Sequence, residues 1–325
     1  MKAPAFWYRP PGLQARALQP LGALYAAATA RRVARPPEIR PEIPVICIGN
    51  LNAGGTGKTP TTIHLAEKLT RSGAQPHIVT RGYGGTLDGP VQVDPSAHTA
   101  DQTGDEPLLL AAFAPTWVAK DRAAGARAAA AAGATVLLLD DGFQNPAVAK
   151  DLSIITVDAA KGFGNGLCLP AGPLREPVEA GLRRADLLLS IGSDPAQQAF
   201  SESWTIPLPH LTAELKPLLT GMPWQGLPVL AFAGIGHPEK FFATLRQTGA
   251  NLIHGEPLAD HQALTEPLMA RLLSDAKRLN AQLVTTEKDA VRLPDNLRAQ
   301  VLTLPVRLAI KDPEPLDIAL KKLDL

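Results

Sequence analysis

The sequence predicts an α/β protein: a mostly parallel β-sheet with helices on both faces, a second and smaller α/β lobe, and an N-terminal amphipathic helix. Two observations carry this. Short apolar runs alternate with helix-length segments through most of the 325 residues, the pattern of βαβ units whose ligands gather at the carboxyl ends of the strands. The first such run, Val45-Ile46-Cys47-Ile48, empties into Gly49-Asn50-Leu51-Asn52-Ala53-Gly54-Gly55-Thr56-Gly57-Lys58-Thr59-Pro60. A loop with so little side-chain bulk lets backbone N–H groups converge on phosphate at the positive end of the following helix. The fold is therefore expected to be P-loop NTPase-like, with Asn52, Ala53, Gly54, Gly55, Thr56, Gly57, Lys58 and Thr59 around the phosphates of ATP. Lys58 is expected on the β- and γ-phosphates and the Thr59 hydroxyl on Mg2+. Asn52 stands where G-x-x-x-x-G-K-[ST] has its first glycine, and asparagine is among the few residues that tolerate the left-handed backbone a tight loop can require.

The helix after the loop, 60–72, has Pro60 in its first turn, Leu65 and Leu69 on one face and Gly73 at its end, each suited to its place. A strand follows over 77–80 and breaks at Arg81-Gly82-Tyr83-Gly84-Gly85. Helix 108–114, strand 116–119, an alanine-rich helix 121–132 and a buried strand 135–139 continue the alternation, with further strands at 153–157 and 187–191. From 205 to 228, Pro207, Pro209, Pro217, Pro223 and Pro228 read as a connector. Beyond it come strand 229–233, helix 238–248, strand 251–254, helix 265–280 and strand 283–286. The expected organisation is an N-terminal basic segment 1–40, a core 41–204, a connector 205–228 and a smaller lobe 229–325.

With 32 basic against 31 acidic residues, the chain is not a globally basic nucleic-acid binder, and no nucleic acid is expected as partner. Cys47 and Cys168 lack metal-ligand spacing and suit a reduced compartment. No apolar run reaches the roughly eighteen residues of a spanning helix, so the catalytic body is expected in the cytoplasm. Residues 1–40 nevertheless hold seven basic side chains, Lys2, Arg9, Arg16, Arg31, Arg32, Arg35 and Arg40, against the single acid Glu38. Leu18, Leu21 and Tyr25 recur among them at helical spacing, so this segment is expected either to lie on an anionic membrane surface or to pack on its own domain.

The strand 135–139 delivers Asp140-Asp141-Gly142, the acidic second part that a P-loop enzyme needs for magnesium. Gly104-Asp105-Glu106-Pro107 opens an apolar helix, where Thr103 and Glu106 also fit a capping box. Asp260-His261 lies in a loop of the second lobe. A carboxylate and an imidazole from different lobes can meet across a cleft as a base and its partner. Arg81, Lys120, Arg122, Arg175, Lys288 and Arg292 fall at strand ends or in glycine- and proline-rich loops, where cationic clamps on a phosphoryl group are placed.

These residues resemble the tetraacyldisaccharide 4'-kinase family, the lipid A 4'-kinases of Gram-negative bacteria, over nearly the whole chain. The likeness rests on Trp7-Tyr8-Arg9-Pro10, Gly49-Asn50, Gly54-Gly55-Thr56-Gly57-Lys58-Thr59-Pro60, Arg81-Gly82-Tyr83-Gly84 and Gly104-Asp105-Glu106-Pro107. It continues in Asp140-Asp141-Gly142-Phe143-Gln144, Leu169-Pro170-Ala171-Gly172-Pro173-Leu174-Arg175-Glu176, Asp260-His261 and Thr286-Glu287-Lys288-Asp289-Ala290. The resemblance implies transfer of the ATP γ-phosphate to the 4'-hydroxyl of a tetraacylated disaccharide 1-phosphate, giving lipid IVA at the cytoplasmic face of the inner membrane; a monomer is expected. It further implies Lys58 on the phosphates, Thr59 and Asp140 on magnesium, Asp105 as base and His261 beside it. Glu106, Asp141, Arg81, Arg122, Arg175 and Glu176 are implied as supporting polar groups. In the family a histidine usually follows Asp-Asp-Gly-Phe-Gln; here it is Asn145, which cannot become cationic, so no such role is carried over. A membrane-associated partitioning ATPase is the competing enzyme class, but its signature lysine before the paired glycines is Ala53 here. A nucleotide-gated scaffold would bind ATP without an acceptor-dependent product.

Overall fold

In the computed structural model, which describes residues 3–218 and 220–325, thirteen strands fall into two sheets. Lys2, counted above with the basic segment, lies outside the described residues. The strands are β1 (Val45–Gly49), β2 (Pro76–Thr80), β3 (Val91–Gln92), β4 (Thr116–Val118), β5 (Val136–Asp140), β6 (Leu152–Asp158), β7 (Leu187–Ile191), β8 (His210–Pro217), β9 (Pro228–Ala233), β10 (Asn251–Pro257), β11 (Gln282–Thr286), β12 (Leu302–Leu304) and β13 (Val306–Ile310). The larger sheet has the order β13-β8-β7-β6-β1-β5-β2-β4-β3, parallel from β8 to β4 with an antiparallel strand at each edge. The smaller sheet, β10-β9-β11-β12, is parallel throughout.

Strands β1, β2, β5, β6 and β7 are buried along their whole length, which is why they read as unbroken apolar runs rather than as alternation. Ile46, Ile48, Leu138 and Ile154 face one core with Leu65 and Leu69, while Cys47, Leu137 and Leu139 face the other with Phe143 and Phe163. β1 therefore lies at the centre of the sheet and its carboxyl end is fixed from both sides.

Five helices matter for the site: α1 (Leu13–Val33), α2 (Lys58–Arg71), α3 (Ala100–Thr103), α4 (Asp105–Ala111) and α5 (Arg122–Ala131). Of these α1 is the exception in packing. Its buried residues are the small ones, Ala15, Gly22 and Thr29, and Gly22 runs so close to the Cys168 carbonyl that a Cβ there would stand 2.9 Å from it. Leu13, Leu21 and Leu24 point outward, 86%, 52% and 68% exposed. Just upstream, the Trp7 indole donates to the Pro170 carbonyl at 3.0 Å and the Asn165 N–H donates to the Trp7 carbonyl at 2.7 Å. Gly22 and Trp7 thus hold this N-terminal segment to the 162–174 loop, while Leu13, Leu21 and Leu24 stay in solvent. No helix among the described residues is long and apolar enough to cross a membrane.

Two expectations need correction. The segment 205–228, read as a connector because of its prolines, contains β8, which joins the larger sheet beside β7. Pro209 precedes the strand and Pro217 ends it, positions where a missing N–H is tolerated, and the alternation of buried Leu211 and Ala213 outweighed the proline count. The end of the chain does not stay in the smaller lobe. β13 pairs antiparallel with β8, and the helix Glu314–Lys321 sets Leu316 and Leu320 into the core that contains Ile46 and Leu65. The chain passes from the larger lobe at β8 to the smaller at β9 and returns near 305.

Candidate active site

The phosphate loop leaves β1 at Gly49 and enters α2 at Lys58. Asn50, fully buried, donates from Nδ2 to the Gly54 carbonyl at 3.2 Å and to Thr56 Oγ1 at 2.9 Å. Thr56 Oγ1 lies 3.0 Å from Thr156 Oγ1, whose hydroxyl also reaches the Gly49 carbonyl at 3.2 Å. Side chains therefore shape the loop and leave its glycine backbone free. Gly57 has φ +94°, and a Cβ there would stand 2.3 Å from Ile191 Cδ1, so only glycine allows this entry into α2. Gly54 and Gly55 are exposed at the rim.

Asn52 acts differently from the expectation. Its backbone is not left-handed; it bridges antiparallel to Leu174, and its Nδ2 donates to the Gly162 carbonyl at 3.1 Å. The Ala53 N–H donates to the Pro173 carbonyl at 2.7 Å. Both residues thus tie the loop to the 162–175 segment, and the Ala53 N–H is spent on that tie.

β5 runs beside β1 with Ile48 opposite Asp140, which places both aspartates next to the loop. Asp140 is buried; its carboxylate accepts from the Thr62 and Thr80 hydroxyls, each at 3.3 Å. Burial, with the charge of Glu106 second, pushes its pKa up to about 6. Asp141 has φ +52° and turns its carboxylate to Arg175, 2.9 Å from Nη1 and 3.3 Å from Nη2, with Lys58 Nζ 3.6 Å away. Burial raises the Asp141 pKa, but Lys58 and Arg175 outweigh it and hold the carboxyl below its ordinary range. Arg122 is buried beneath this corner and donates to the Val79 carbonyl at 2.7 Å and the Asp140 carbonyl at 2.9 Å. It fixes the ends of β2 and β5 rather than facing solvent. Glu176 is likewise a buried support: it accepts from Arg184 at 2.6 and 2.7 Å and from Gln144 Nε2 at 3.0 Å, and Gln144 also holds the Asn50 carbonyl at 2.8 Å. Arg81 is exposed past the end of β2, with no hydrogen bond or ion pair among the described residues. Of the supporting cations it is the one left free at the mouth of the site.

The second half of the site spans the lobes. Gly104, at φ +91°, caps α4, and a Cβ there would meet the Tyr83 carbonyl at 2.6 Å. The Thr103–Glu106 box does not form; Thr99 and Gln102 cap α3 instead. Glu106 is thereby free to meet Lys288 Nζ at 3.1 Å across the cleft. Asp105 is buried, and its Oδ2 lies 2.9 Å from His261 Nδ1, with Arg292 Nε at 3.9 Å and Lys288 Nζ at 4.0 Å. Burial raises the Asp105 pKa, but the His261 hydrogen bond and the charges of Lys288, His261 and Arg292 prevail and hold it below the ordinary range. The hydrogen bond to Asp105 raises the His261 pKa. Lys288 loses by burial and gains more from Glu106 and Asp105, so its pKa is raised. His261 sits at φ +58° in the turn after β10, and its N–H donates to the Gly234 carbonyl at 3.0 Å. The sequence patterns assign no role to Asn50, Thr156 or Gln144; the Gly49-Asn50 dipeptide is a local sign of the first.

A sheet-end glycine loop on a helix N-terminus, an adjacent strand ending in paired aspartates and a buried carboxylate–imidazole pair from a second lobe define a P-loop phosphotransferase. Comparison with known proteins narrows this. The model of the family "Tetraacyldisaccharide-1-P 4'-kinase" matches residues 14–324. The tetraacyldisaccharide 4'-kinase of Dinoroseobacter shibae is 64% identical over 99% of this chain and 98% of its own, and that of Jannaschia sp. is 63% identical over 99% of each. The crystal structure of Aquifex aeolicus LpxK in complex with ATP, 24% identical, superposes with a TM-score of 0.76 over 96% of this chain and 99% of that one. The chain belongs to the tetraacyldisaccharide 4'-kinase family.

Proposed function

We propose that this protein transfers the γ-phosphate of MgATP to the 4'-hydroxyl of a tetraacyldisaccharide 1-phosphate, the kinase step of lipid A biosynthesis that yields lipid IVA, with Asp105 as the base. The observation that carries the reading is the meeting of Asp105 of the larger lobe, which also carries Lys58 and the phosphate loop, with His261 of the smaller lobe at 2.9 Å. The family supplies the reaction, an alcohol-acceptor phosphotransfer.

Lys58 and the backbone N–H groups of the glycine loop neutralise and orient the phosphates, and Arg81 completes the cationic rim from the solvent side. Thr59 and Asp140 fit magnesium: a buried carboxylate whose pKa is pushed up to about 6 is one that a cation returns to its ionised form. The ion supplies charge neutralisation at the phosphates. A sugar hydroxyl is far too weak an acid to ionise at neutral pH, so Asp105 accepts its proton as the oxygen bonds to phosphorus. His261 and Lys288 keep Asp105 ionised and aimed. Lys58, Asp140, Asp105 and His261 all come from one chain, so the reaction needs no second copy, in keeping with a monomer.

The acceptor's four acyl chains stay in the bilayer, so the enzyme must approach it. The exposed leucines of α1 beside Arg16, Arg31, Arg32 and Arg35 suit peripheral attachment to an anionic surface, at the cytoplasmic face where ATP is found. The test is transfer of labelled γ-phosphate to tetraacyldisaccharide 1-phosphate in detergent micelles. Labelled lipid formed by wild type and not by Lys58→Ala supports the kinase; nucleotide hydrolysis without labelled lipid favours an ATPase.

A further inference from the structure

Arg292 is a largely enclosed cation that the reading above leaves without a task. It follows the short helix Glu287–Ala290 that closes β11, and its side chain is 9% exposed. Asp289, fully buried, anchors it: one carboxylate oxygen accepts from the Gly234 N–H at 3.1 Å and the Thr286 hydroxyl at 2.7 Å, and the other accepts from Arg292 Nη2. Nη1 donates to the Gln262 carbonyl at 2.7 Å, in the turn whose left-handed residue is His261. Two of the three guanidinium nitrogens are thus committed within the smaller lobe. The third, Nε, is buried with no hydrogen-bond partner and stands 3.9 Å from Asp105 Oδ2 on the larger lobe. That is too long for a hydrogen bond, and a buried unpaired donor is a destabilising arrangement that a small movement would relieve.

We propose that Arg292 is the positioning residue of the Asp105–His261 pair: it fixes the turn that carries His261 and holds its Nε–H in reserve for Asp105 Oδ2, engaging when nucleotide and acceptor draw the lobes together. The proposal rests on Asp105 being the base. The groups facing Asp105 are His261, Lys288 and Arg292 from the smaller lobe and Glu106 from its own helix, with Asp260 3.8 Å from His261 Nε2. Of the three cations, His261 loses its charge as pH rises, whereas the guanidinium keeps its charge throughout. Removing it should raise the Asp105 pKa and misalign His261 together.

The experiment compares wild type, Arg292→Gln, Arg292→Lys and Asp105→Asn as full chains, measuring kcat and KM across pH at saturating magnesium, with thermal unfolding alongside. Arg292→Gln is expected to lower kcat roughly 10- to 100-fold, to leave KM for ATP within about twofold, since it does not touch the phosphate loop, and to move the acid limb of kcat to higher pH. Arg292→Lys retains the charge but cannot bridge Gln262 and Asp289 at once. It should restore the acid limb and recover kcat only in part. A fall in kcat with an unmoved acid limb in both Arg292 variants would overturn the proposal, because that is the signature of a scaffold residue. If Arg292→Gln does not fold, Arg292→Lys decides, since a wild-type kcat there refutes the brace. Asp105→Asn separates the two readings: near-normal turnover sinks the base assignment itself, whereas an inactive Asp105→Asn beside an unperturbed Arg292→Gln sinks only this inference.

Discussion

The phosphate side of the site is carried by adjacent strands of one sheet, with Ile48 beside Asp140 in register, whereas Asp105 and His261 are 156 residues apart and come from different lobes. The first is set by backbone pairing and by buried struts such as Asn50, Arg122 and Glu176, all within the larger lobe. The second depends on how the lobes meet. It is assembled from charged side chains, Asp105 and Glu106 against His261, Lys288 and Arg292, at the interface between the lobes. The contrast is one of construction: the glycine loop and its aspartates are built within one sheet, whereas the Asp105–His261 pair, the proposed base and its partner, needs both lobes. Another tie between the lobes runs from Lys240 Nζ to the buried carboxylate of Asp158 at 2.7 Å, near the carboxyl end of β6.

The largest expected effect tests the preformed side. Lys58→Ala should lower kcat/KM for phosphate transfer by roughly 10³-fold without changing the far-ultraviolet circular dichroism; a loss below tenfold would remove Lys58 from the phosphates. On the assembled side, Asp105→Asn and His261→Ala should each cost on the order of 10²- to 10⁴-fold in kcat with little change in KM for ATP. The double variant should cost little more than the worse single one, because the residues act as a unit. Additive losses would show that they act separately.

A third prediction concerns α1 alone. Leu21→Asp with Leu24→Asp should reduce sedimentation with anionic vesicles and turnover of bilayer-borne acceptor, while turnover of detergent-dispersed acceptor stays within about twofold. Equal losses in both settings would mean that the leucines serve the fold. Smaller still is Lys240→Ala. Its partner is buried but Lys240 itself is largely exposed, so about 0.5–1 kcal/mol, a few-fold in activity, is the expected cost, read as a weakened response of lobe closure to ATP.

The pH dependence sharpens the comparison. His261 has a folded pKa raised above its ordinary value, so its contribution to closure is fully present below about 6.5 and is lost as pH rises through the raised value. Asp105 has a lowered one, so its contribution is present above about 3.8 and is lost as pH falls through the depressed value. Amide exchange at residues 259–262 should therefore quicken above the His261 transition, after correction for intrinsic rates, while exchange in the phosphate loop does not respond. Equal response in both regions would erase the distinction drawn here.

The sequence by itself determined the α/β class, the phosphate loop and the acidic strand end after β5, because each is a local pattern: buried parallel strands are continuous apolar runs, and a glycine loop, its lysine and the following helix are contiguous. The family motifs extended this to the kind of reaction. Local signals failed where partners are distant. Prolines around β8 read as a connector, since what makes 210–217 a strand is the β7 edge beside it, and the return of β13 to the same sheet has no local signature. Asn52, expected beside the phosphates as a residue that tolerates a left-handed backbone, is not left-handed and ties the loop to the 162–175 segment. Whether Asp105 is a helix cap or one member of a pair with His261 could not be decided along the chain. Only the tertiary structure decided it, because a carboxylate's environment is set by which charges and how much water surround it, and here both are supplied by the other lobe.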